Sequence, residues 1–425
     1  MRAYLVTAPH CGSLTEVATP EPGPGEVLVA PAAVGICGSD LELRDGRRPA
    51  GYVRYPVVPG HEWAGHVVAA GPGVTGLEPG APVVAEGVRA CGTCARCAEG
   101  RNNLCSGPYA ETGFTHPGAL AERLVVPAML LHPLPADRPI AAAALIEPAA
   151  CVATGLLEVG FPPPGSRVAV VGDGPLGLLA VALLRLGATR ELVMFGSRPE
   201  RSAYARRLGA TDVVLRADPL AGLPASTGAP GPPRPGGTTP PRPAGDTVPP
   251  SGGNGSGWLS GPGELGGTGG TVPPRRGNST GRPSGPGDPG GPGGAIAPRE
   301  GGSTGRLSRP GGFDLVVEAT NSATGAATAL GLARRAGTVV LLGISGAAGP
   351  TLRPAVITLN HVRVQGVFAA SRAAWRWLVS LYAAGLFDPA DLITHRFGLH
   401  QVDEAFAVLA DRSAGALKVV VEPAA

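Results

Sequence analysis

The chain has 425 residues, and its 67 Gly and 47 Pro exceed the roughly 7% and 5% that these residues contribute to ordinary globular proteins. The excess is concentrated in 219–312, which holds 29 Gly and 20 Pro among 94 residues. The net charge of +3 has the same origin, because this segment carries eight Arg and four acidic residues. The remainder is nearly neutral, which argues against a nucleic-acid-binding surface.

Length and targeting signals narrow the class of protein further. The residues outside 219–312 suffice for two domains, each with its own core. The opening MRAYLVTAPH lacks a secretory pattern, and the longest apolar stretch, 176–186, is too short to span a bilayer. We therefore expect a cytoplasmic protein with no membrane partner. In that compartment seven cysteines favour metal ligands or core positions over disulfides.

The first 155 residues predict a β-rich domain. Short runs rich in β-branched residues occur at 26–30, 66–70, 81–85 and 121–126, and Pro and Gly separate them. Such spacing is typical of short strands joined by turns.

The pattern changes near residue 167 to alternating strands and helices, which predicts a doubly wound parallel α/β sheet over 156–369. The predicted strands are 168–172, 191–195, 212–215, 314–319, 338–343 and 362–368, and the predicted helices between them include 176–186, a polar helix containing Glu200, Arg201, Arg206 and Arg207, and 323–335. A last segment, 370–425, predicts helices at 373–384 and 402–409 and a closing strand at 417–422.

The segment 219–312 interrupts this α/β series. It has too few large apolar side chains to offset the entropy of ordering a chain, about 1–2 kcal/mol per residue. The sequence therefore predicts a disordered Gly/Pro-rich surface loop, with a Pro-rich partner-binding tract as the alternative.

Four clustered cysteines predict a structural metal site. Cys91, Cys94, Cys97 and Cys105 follow a C-x2-C-x2-C-x7-C spacing. One short loop with this spacing can surround a tetrahedral zinc ion with four thiolates and leave no open position. An iron–sulfur cluster is the alternative.

A second, dispersed set of polar residues predicts a catalytic metal site. The segments GICGSD at 35–40, PGHEWAG at 59–65 and LIEPAA at 145–150 contribute Cys37, His61, Glu62 and Glu147. Three protein ligands and one open position are what zinc needs to polarise an alcohol or carbonyl oxygen. A core cysteine beside a hydrogen-bonded histidine is the structural alternative.

The segment GDGPLG at 172–177 predicts a dinucleotide site, because it follows a strand and opens a helix. Gly172 would permit the tight turn, Gly174 the approach of the pyrophosphate and Gly177 the packing of helix on strand. Pro175 and Leu176 complete the predicted cofactor-binding turn. At the end of the next strand stand Ser197 and Arg198 in place of the acid that favours NAD, which predicts NADP, with NAD as the alternative.

These motifs, in this order, resemble the zinc-dependent medium-chain dehydrogenase/reductase family, and most closely its sorbitol, glucose and threonine dehydrogenase-like branch. The resemblance covers nearly everything outside 219–312 and implies a GroES-like catalytic domain (1–155), a Rossmann cofactor-binding domain (156–369) and a C-terminal return to the catalytic domain (370–425). It also implies two zinc ions per chain and a homodimer or homotetramer. By the same resemblance Cys37 and His61 are zinc ligands, and Glu62 and Glu147 are direct or water-mediated ligands.

The resemblance implies an activity and two alternatives to it. The expected reaction is hydride transfer between the CH–OH group of a polyol, sugar or cyclitol and NAD(P), with Ser39 relaying the substrate proton. Where many relatives continue that relay with a histidine, this chain has Leu41-Glu42. The alternatives are threonine dehydrogenase-like oxidation of an amino alcohol, and a non-catalytic protein that binds zinc and nucleotide. Arg44, Arg47, Arg48 and Arg54 suggest a polar or anionic substrate, or simply a solvated basic loop.

Overall fold

The computed structural model describes residues 1–215, 311–322, 324–344 and 352–424. The predicted loop 219–312 therefore lies outside the described residues, apart from Gly311 and Gly312. The strands are β1 (Arg2–Ala8), β2 (Cys11–Glu16), β3 (Glu26–Ile36), β4 (Glu62–Ala70), β5 (Pro82–Ala85), β6 (Leu124–Pro127), β7 (Leu131–Pro133), β8 (Arg167–Val171), β9 (Glu191–Gly196), β10 (Asp212–Leu215), β11 (Phe313–Glu318), β12 (Ala333–Leu341), β13 (Arg363–Gly366), β14 (Ile393–Gly398) and β15 (Lys418–Glu422). The α-helices are α1 (Gly38–Arg44), α2 (Ala95–Ala98), α3 (Ile140–Ala143), α4 (Ile146–Val159), α5 (Pro175–Leu184), α6 (Ser202–Leu208), α7 (Gly325–Leu332), α8 (Pro354–Asn360), α9 (Arg372–Ala383) and α10 (Val402–Ala410).

A mainly antiparallel sheet organises the N-terminal part. Its seven strands run in the order β14-β15-β3-β4-β5-β7, and β6 pairs with β3 beside this path. The long strand β3 pairs with β4, β6 and β15, and its register against β4 shifts between Pro31 and Ala33. Such an irregularity bends a strand, so that its two halves can serve different neighbours. Strand β3 is followed by Cys37, the first predicted metal ligand, which caps α1.

The second large sheet is parallel and has six strands, in the order β10-β9-β8-β11-β12-β13. Counted from β8 along the chain, this order is 3-2-1-4-5-6, which is that of dinucleotide-binding sheets. The predicted doubly wound parallel sheet is therefore present. The order changes direction between β8 and β11, and the glycine-rich turn after β8 lies at that crevice, where such sheets bind their ligands.

One predicted helix is shorter than its sequence indicates. The helix expected at 323–335 is α7, which ends at Leu332, and β12 begins at the next residue. Ala333 pairs with Phe313 of β11, and Arg334 forms an ion pair with Asp314 at 2.5 Å. The periodicity of apolar residues within the helix contains no information about these contacts with β11. The predicted helix end at residue 335 was therefore wrong.

The C-terminal segment contributes to the N-terminal sheet. Strands β14 and β15 pair in parallel with each other, and β15 adds antiparallel to β3. Helix α9 packs against α4, which itself crosses the predicted domain boundary at 155/156. Among the residues that the structure describes, none of the helices has the length and apolar character that a bilayer span requires.

Candidate functional site

Cys37, His61 and Glu62 form a cluster, called here the Cys37 cluster. Cys37 directly follows β3 and caps α1, and His61 directly precedes Glu62, the first residue of the neighbouring strand β4. One ligand atom from each lies within 4.8 Å of the others, and Cys37 Sγ is 3.5 Å from His61 Nε2. Sulfur and nitrogen ligands of one tetrahedral zinc ion are separated by about 3.6 Å, given their bond lengths. The cluster therefore has the spacing that a zinc ion needs.

Asp40 orients the histidine of this cluster. Its side chain is fully buried, and Oδ1 lies 3.4 Å from His61 Nδ1. Burial opposes a charge on His61, but Asp40 and Cys37 outweigh it and raise the histidine pKa well above its ordinary value. The pocket thus stabilises positive charge, and Nε2 is left to face Cys37. The sequence interpretation missed Asp40, although metal-bound histidines usually have a carboxylate partner.

Lys418 pairs with the acidic member of the cluster. It is the one lysine of the sequence, it is 2% exposed, and its ammonium contacts Glu62 Oε2. Gly35 leaves room for this pair, because a Cβ there would lie 2.9 Å from Lys418 Cε. The sequence interpretation gave Lys418 no role, although a single lysine in a chain of 34 arginines was the available signal.

Glu147 and Ser39 lie next to the cluster. Glu147 is buried in the first turn of α4, and burial together with neighbouring Glu62 raises its pKa to about 8. The group of ligand atoms that lie within 4.8 Å of one another consists of Cys37, His61 and Glu62 and does not include the Glu147 carboxylate. Glu147 is close enough for His61 and Glu62 to shift its pKa, so it is a neighbour of the cluster. Ser39 Oγ lies 2.7 Å from Cys37 Sγ, which places a hydroxyl beside the ligand set.

The four predicted structural ligands converge in one loop, 91–105, called here the four-cysteine loop. Sulfur separations are 3.9 Å for Cys91–Cys97, 3.5 Å for Cys94–Cys97 and 3.9 Å for Cys94–Cys105. Tetrahedral zinc–thiolate bonds give about 3.8 Å between sulfurs. Backbone N–H groups lower the pKa of Cys91 to about 7 and that of Cys94 to about 6. Desolvation and the neighbouring thiols instead raise the pKa of Cys97 to about 12. The sulfur spacing is therefore the feature that suits four metal-bound thiolates.

The glycine-rich turn has the geometry that a pyrophosphate requires. Gly172 has φ of +118°, which side chains disfavour, and a Cβ on Gly177 would overlap the carbonyl oxygen of Gly172. A Cβ on Gly174 would meet no atom within 4 Å, so the backbone is open there. Pro175 and Leu176 begin α5, whose N-terminus has no side-chain cap. Open N–H groups and the helix dipole favour an anion at this position.

Two family models match the chain. They are the alcohol dehydrogenase GroES-like domain, over residues 23–136, and the zinc-binding dehydrogenase, over residues 303–384. The D-altritol 5-dehydrogenase of Agrobacterium fabrum is 36% identical over 211 residues, covering 49% of this chain and 62% of that protein. The L-threonine 3-dehydrogenase of Streptomyces coelicolor is 38% identical over 203 residues, covering 47% and 57%. The matched part thus spans about three fifths of these curated relatives.

A solved structure matches over almost the whole length. It is a protein from Sinorhizobium meliloti 1021, described as a zinc-binding dehydrogenase bound to NADP, with 27% identity, a TM-score of 0.73 and 99% of each chain covered. The chain belongs to the zinc-dependent medium-chain dehydrogenase/reductase family. The predicted family and its fold class, a GroES-like domain with a Rossmann sheet, are therefore confirmed.

In this medium-chain dehydrogenase/reductase, the loop after β9 contains the two residues predicted to select NADP. Its backbone N–H groups at Ser197 and Arg198 both donate to Asp173 Oδ2, each at 2.7 Å. Arg201, predicted only as a polar helix residue, is buried and donates to the carbonyl oxygens of Asp173 and Ala416, each at 2.9 Å. The sequence interpretation gave Asp173, the second residue of GDGPLG, no role.

One of the four predicted arginines lies near the Cys37 cluster. The ring of Phe114 is 4.7 Å from that of His61, and the guanidinium of Arg48 lies 3.5 Å from the Phe114 centroid. Arg48 also donates to Tyr109 at 3.0 Å and to buried Glu111 at 3.3 Å. Arg44 and Arg47 instead pair with Asp45. Arg54 contacts Phe114 through its backbone N–H, which donates to the Phe114 carbonyl oxygen at 3.0 Å. In this family member, Arg48 is thus the arginine of the four whose guanidinium contacts the Phe114 ring beside the cluster.

The four-cysteine loop is docked to the rest of the chain by two asparagines. Asn102 Nδ2 donates to buried Glu86 at 2.5 Å, and Asn103 Nδ2 donates to the carbonyl oxygen of Phe368 at 2.7 Å. Glu86 also accepts from Arg372 Nε at 2.8 Å, and the Arg372 N–H donates to Asn102 Oδ1 at 2.8 Å. These bonds connect the loop with the segment that follows β13 and opens α9.

Proposed function

We propose that this protein is a zinc-dependent oxidoreductase that transfers hydride between the CH–OH group of a polyol, sugar or cyclitol and NAD(P). The Cys37 cluster is the observation that supports this most directly, because its ligand set leaves a position for substrate. A non-catalytic zinc protein has no need of such a position. The names of the relatives, which are dehydrogenases of D-altritol and L-threonine, support an alcohol substrate.

Chain residues would hold and orient the reacting groups. Cys37 and His61 would bind zinc, with Asp40 fixing the histidine ring, and Glu62 or Glu147 would complete the ligand set. When bound, zinc supplies polarisation of the substrate oxygen and NAD(P) supplies the hydride acceptor. The Ser39 hydroxyl, 2.7 Å from Cys37 Sγ, would relay the proton that the alcohol releases, passing its own proton on toward solvent.

The substrate side would be formed by polar and aromatic groups. Arg48, Tyr109 and Glu111 extend from Phe114, which adjoins His61. A cavity of about 290 Å³ lies beside them, lined by Tyr52, Tyr109 and Phe368 among others. A wall of hydrogen-bonding groups suits a substrate with several hydroxyls. Oxidation of an amino alcohol such as L-threonine is the second candidate, which the threonine dehydrogenase relatives favour.

Assembly and location complete the proposal. Family membership supports a homodimer or homotetramer. All seven cysteines are free thiols in the structure, and the four in the four-cysteine loop would need a reducing compartment to stay available for metal. We therefore place the protein in the cytoplasm.

Metal content and turnover of two variants test this function. Cys37→Ser and His61→Ala should each lose turnover and one of two zinc ions while keeping the melting temperature near that of the unmodified protein. Cys11→Ser, at an exposed cysteine outside both clusters, is the matched control and should keep both properties. Polyols, sugars, aminocyclitols and L-threonine would be screened as substrates with NAD and NADP. Full turnover in Cys37→Ser, or one zinc ion per chain in the unmodified protein, would contradict the proposal.

A further inference from the structure

Asp173 brings a carboxylate to the position that normally distinguishes NAD from NADP. It is the second residue of the glycine-rich turn after β8, and it is 6% exposed. Oδ2 reaches across to the end of β9 and accepts the N–H groups of Ser197 and Arg198, each at 2.7 Å. In dinucleotide-binding sheets, the end of this second strand is where an acid meets the ribose 2′-hydroxyl or an arginine meets the 2′-phosphate.

The groups around Asp173 are those that would hold a phosphate. Besides the two N–H donors, the guanidinium groups of Arg198 and Arg201 each lie 3.9 Å from Oδ1. Backbone N–H groups and guanidinium groups are the usual partners of phosphate oxygens in proteins. The donors of the loop after β9 are therefore already bound to an anion, which is the carboxylate of Asp173 from the turn after β8.

The two arginines differ in their freedom to serve a ligand. Arg201 is held by the carbonyl oxygens of Asp173 and Ala416 and is buried. Arg198 has 29% of its side chain exposed and makes no side-chain hydrogen bond in the described residues. Arg198 is therefore the group that an incoming phosphate could recruit, at the expense of its ion pair with Asp173.

The close approach of Asp173 depends on Gly196. A Cβ at this position would lie 2.7 Å from Asp173 Oδ2 and 2.9 Å from Asp173 Cβ, closer than such atoms approach. The last residue of β9 is thus small enough to admit the carboxylate. This fit, together with the two hydrogen bonds, shows that Asp173 is built into the loop rather than placed beside it by chance.

We propose that Asp173 is a specificity-determining residue, an internal carboxylate that competes with the 2′-phosphate of NADP for the loop after β9. It offsets the preference for NADP that Arg198 would otherwise produce, so the unmodified protein accepts NAD and NADP with similar affinity. The carboxylate also keeps the loop ordered through its two N–H partners. This inference rests on the dinucleotide site of the proposed function.

Binding measurements test the proposal without reference to turnover. The probes are AMP and adenosine 2′,5′-bisphosphate, which differ only at the 2′ position, with dissociation constants from isothermal titration calorimetry. In the unmodified protein the bisphosphate should bind less than about tenfold more tightly than AMP. In Asp173→Asn, which keeps an oxygen acceptor and removes the charge, the preference for the bisphosphate should rise by roughly tenfold. An unchanged or lower preference in Asp173→Asn overturns the proposal.

A second variant and a fold control keep the outcomes separate. In the Asp173→Asn background, Arg198→Ala should remove most of the gained preference, because Arg198 would then carry the phosphate. In the unmodified background, the same substitution should change the preference by less than about threefold. If Asp173→Asn does not fold, the measurement on the unmodified protein decides, and a preference above tenfold overturns the proposal. Failure of the unmodified protein to bind NAD, NADP or either probe would instead reject the proposed function.

Discussion

At the scale of single residues, the Cys37 cluster is a balance of buried charges. Glu62, Glu147 and Asp40 are buried acids, and His61 and Lys418 are buried bases within the same region. A buried charge without a partner costs several kcal/mol, because it loses its hydration. Lys418 therefore stabilises Glu62, although the two residues are far apart in the chain.

Replacing this lysine by a neutral side chain of similar length should destabilise the protein. Lys418→Met leaves Glu62 buried without its cation, and we expect a loss of about 3 kcal/mol in the free energy of unfolding, measured by urea denaturation. The double variant with Glu62→Gln should recover part of that loss. Arg376→Met, at an exposed cation on α9, is the control and should stay within about 0.5 kcal/mol. Equal stability of Lys418→Met and the unmodified protein would show that the pair contributes nothing.

At the scale of elements, the four-cysteine loop depends on both its metal ligands and its docking. Apart from the short helix α2, it has little regular structure of its own, and most of its cysteines are only partly buried. Its asparagines hold it to Glu86 and to the segment that opens α9. A loop with so small a core needs cross-links to stay folded, and a metal ion supplies them.

Losing one thiolate of this loop should therefore affect stability more than chemistry. Cys94→Ser should bind about one zinc ion fewer per chain and melt at a lower temperature, because the loop loses its cross-link. Metal analysis and differential scanning calorimetry measure the two effects. Cys151→Ser, at a cysteine outside the loop, should keep the zinc content of the loop. Unchanged zinc content and melting temperature in Cys94→Ser would refute a structural zinc site here.

At the scale of the whole molecule, the sheet order constrains the connection between β10 and β11. These parallel strands are separated by β9 and β8, so the chain must cross about 14 Å of sheet and return from the carboxyl end of β10 to the amino end of β11. Parallel strands need a crossover of about a dozen residues or more. The connection between Leu215 and Phe313 must therefore keep a minimum length.

Shortening this connection tests the constraint. Replacing 219–310 by a Gly/Ser linker of about 20 residues should leave the melting temperature within a few degrees, whereas a linker of about five residues should prevent folding of the sheet. Circular dichroism during heating distinguishes the two chains, which differ only in linker length. Equal stability with the short linker would show that β10 is not the edge strand of this sheet.

Several features of this protein could be predicted from its sequence, because each depends on residues that are close together in the chain. The spacing of Cys91, Cys94, Cys97 and Cys105 acts within one loop, and the three glycines of GDGPLG act within one turn. Alternating strands and helices predicted the parallel sheet, since each element is determined mainly by its own residues. The end of α7 at Leu332 was beyond such reasoning, because the pairing of Ala333 with Phe313 decided it.

The tertiary structure alone decided which charges meet. Lys418 reaches Glu62 because β3 pairs with both β15 and β4. Asp173 reaches Ser197 and Arg198 through the pairing of β8 with β9. No local pattern records these neighbours, because strand order brings together residues that are distant along the chain. Charges interact over a few ångströms of space, irrespective of sequence separation. The sequence by itself therefore determined the family and the candidate metal ligands, and the fold decided the charge partners that tune them.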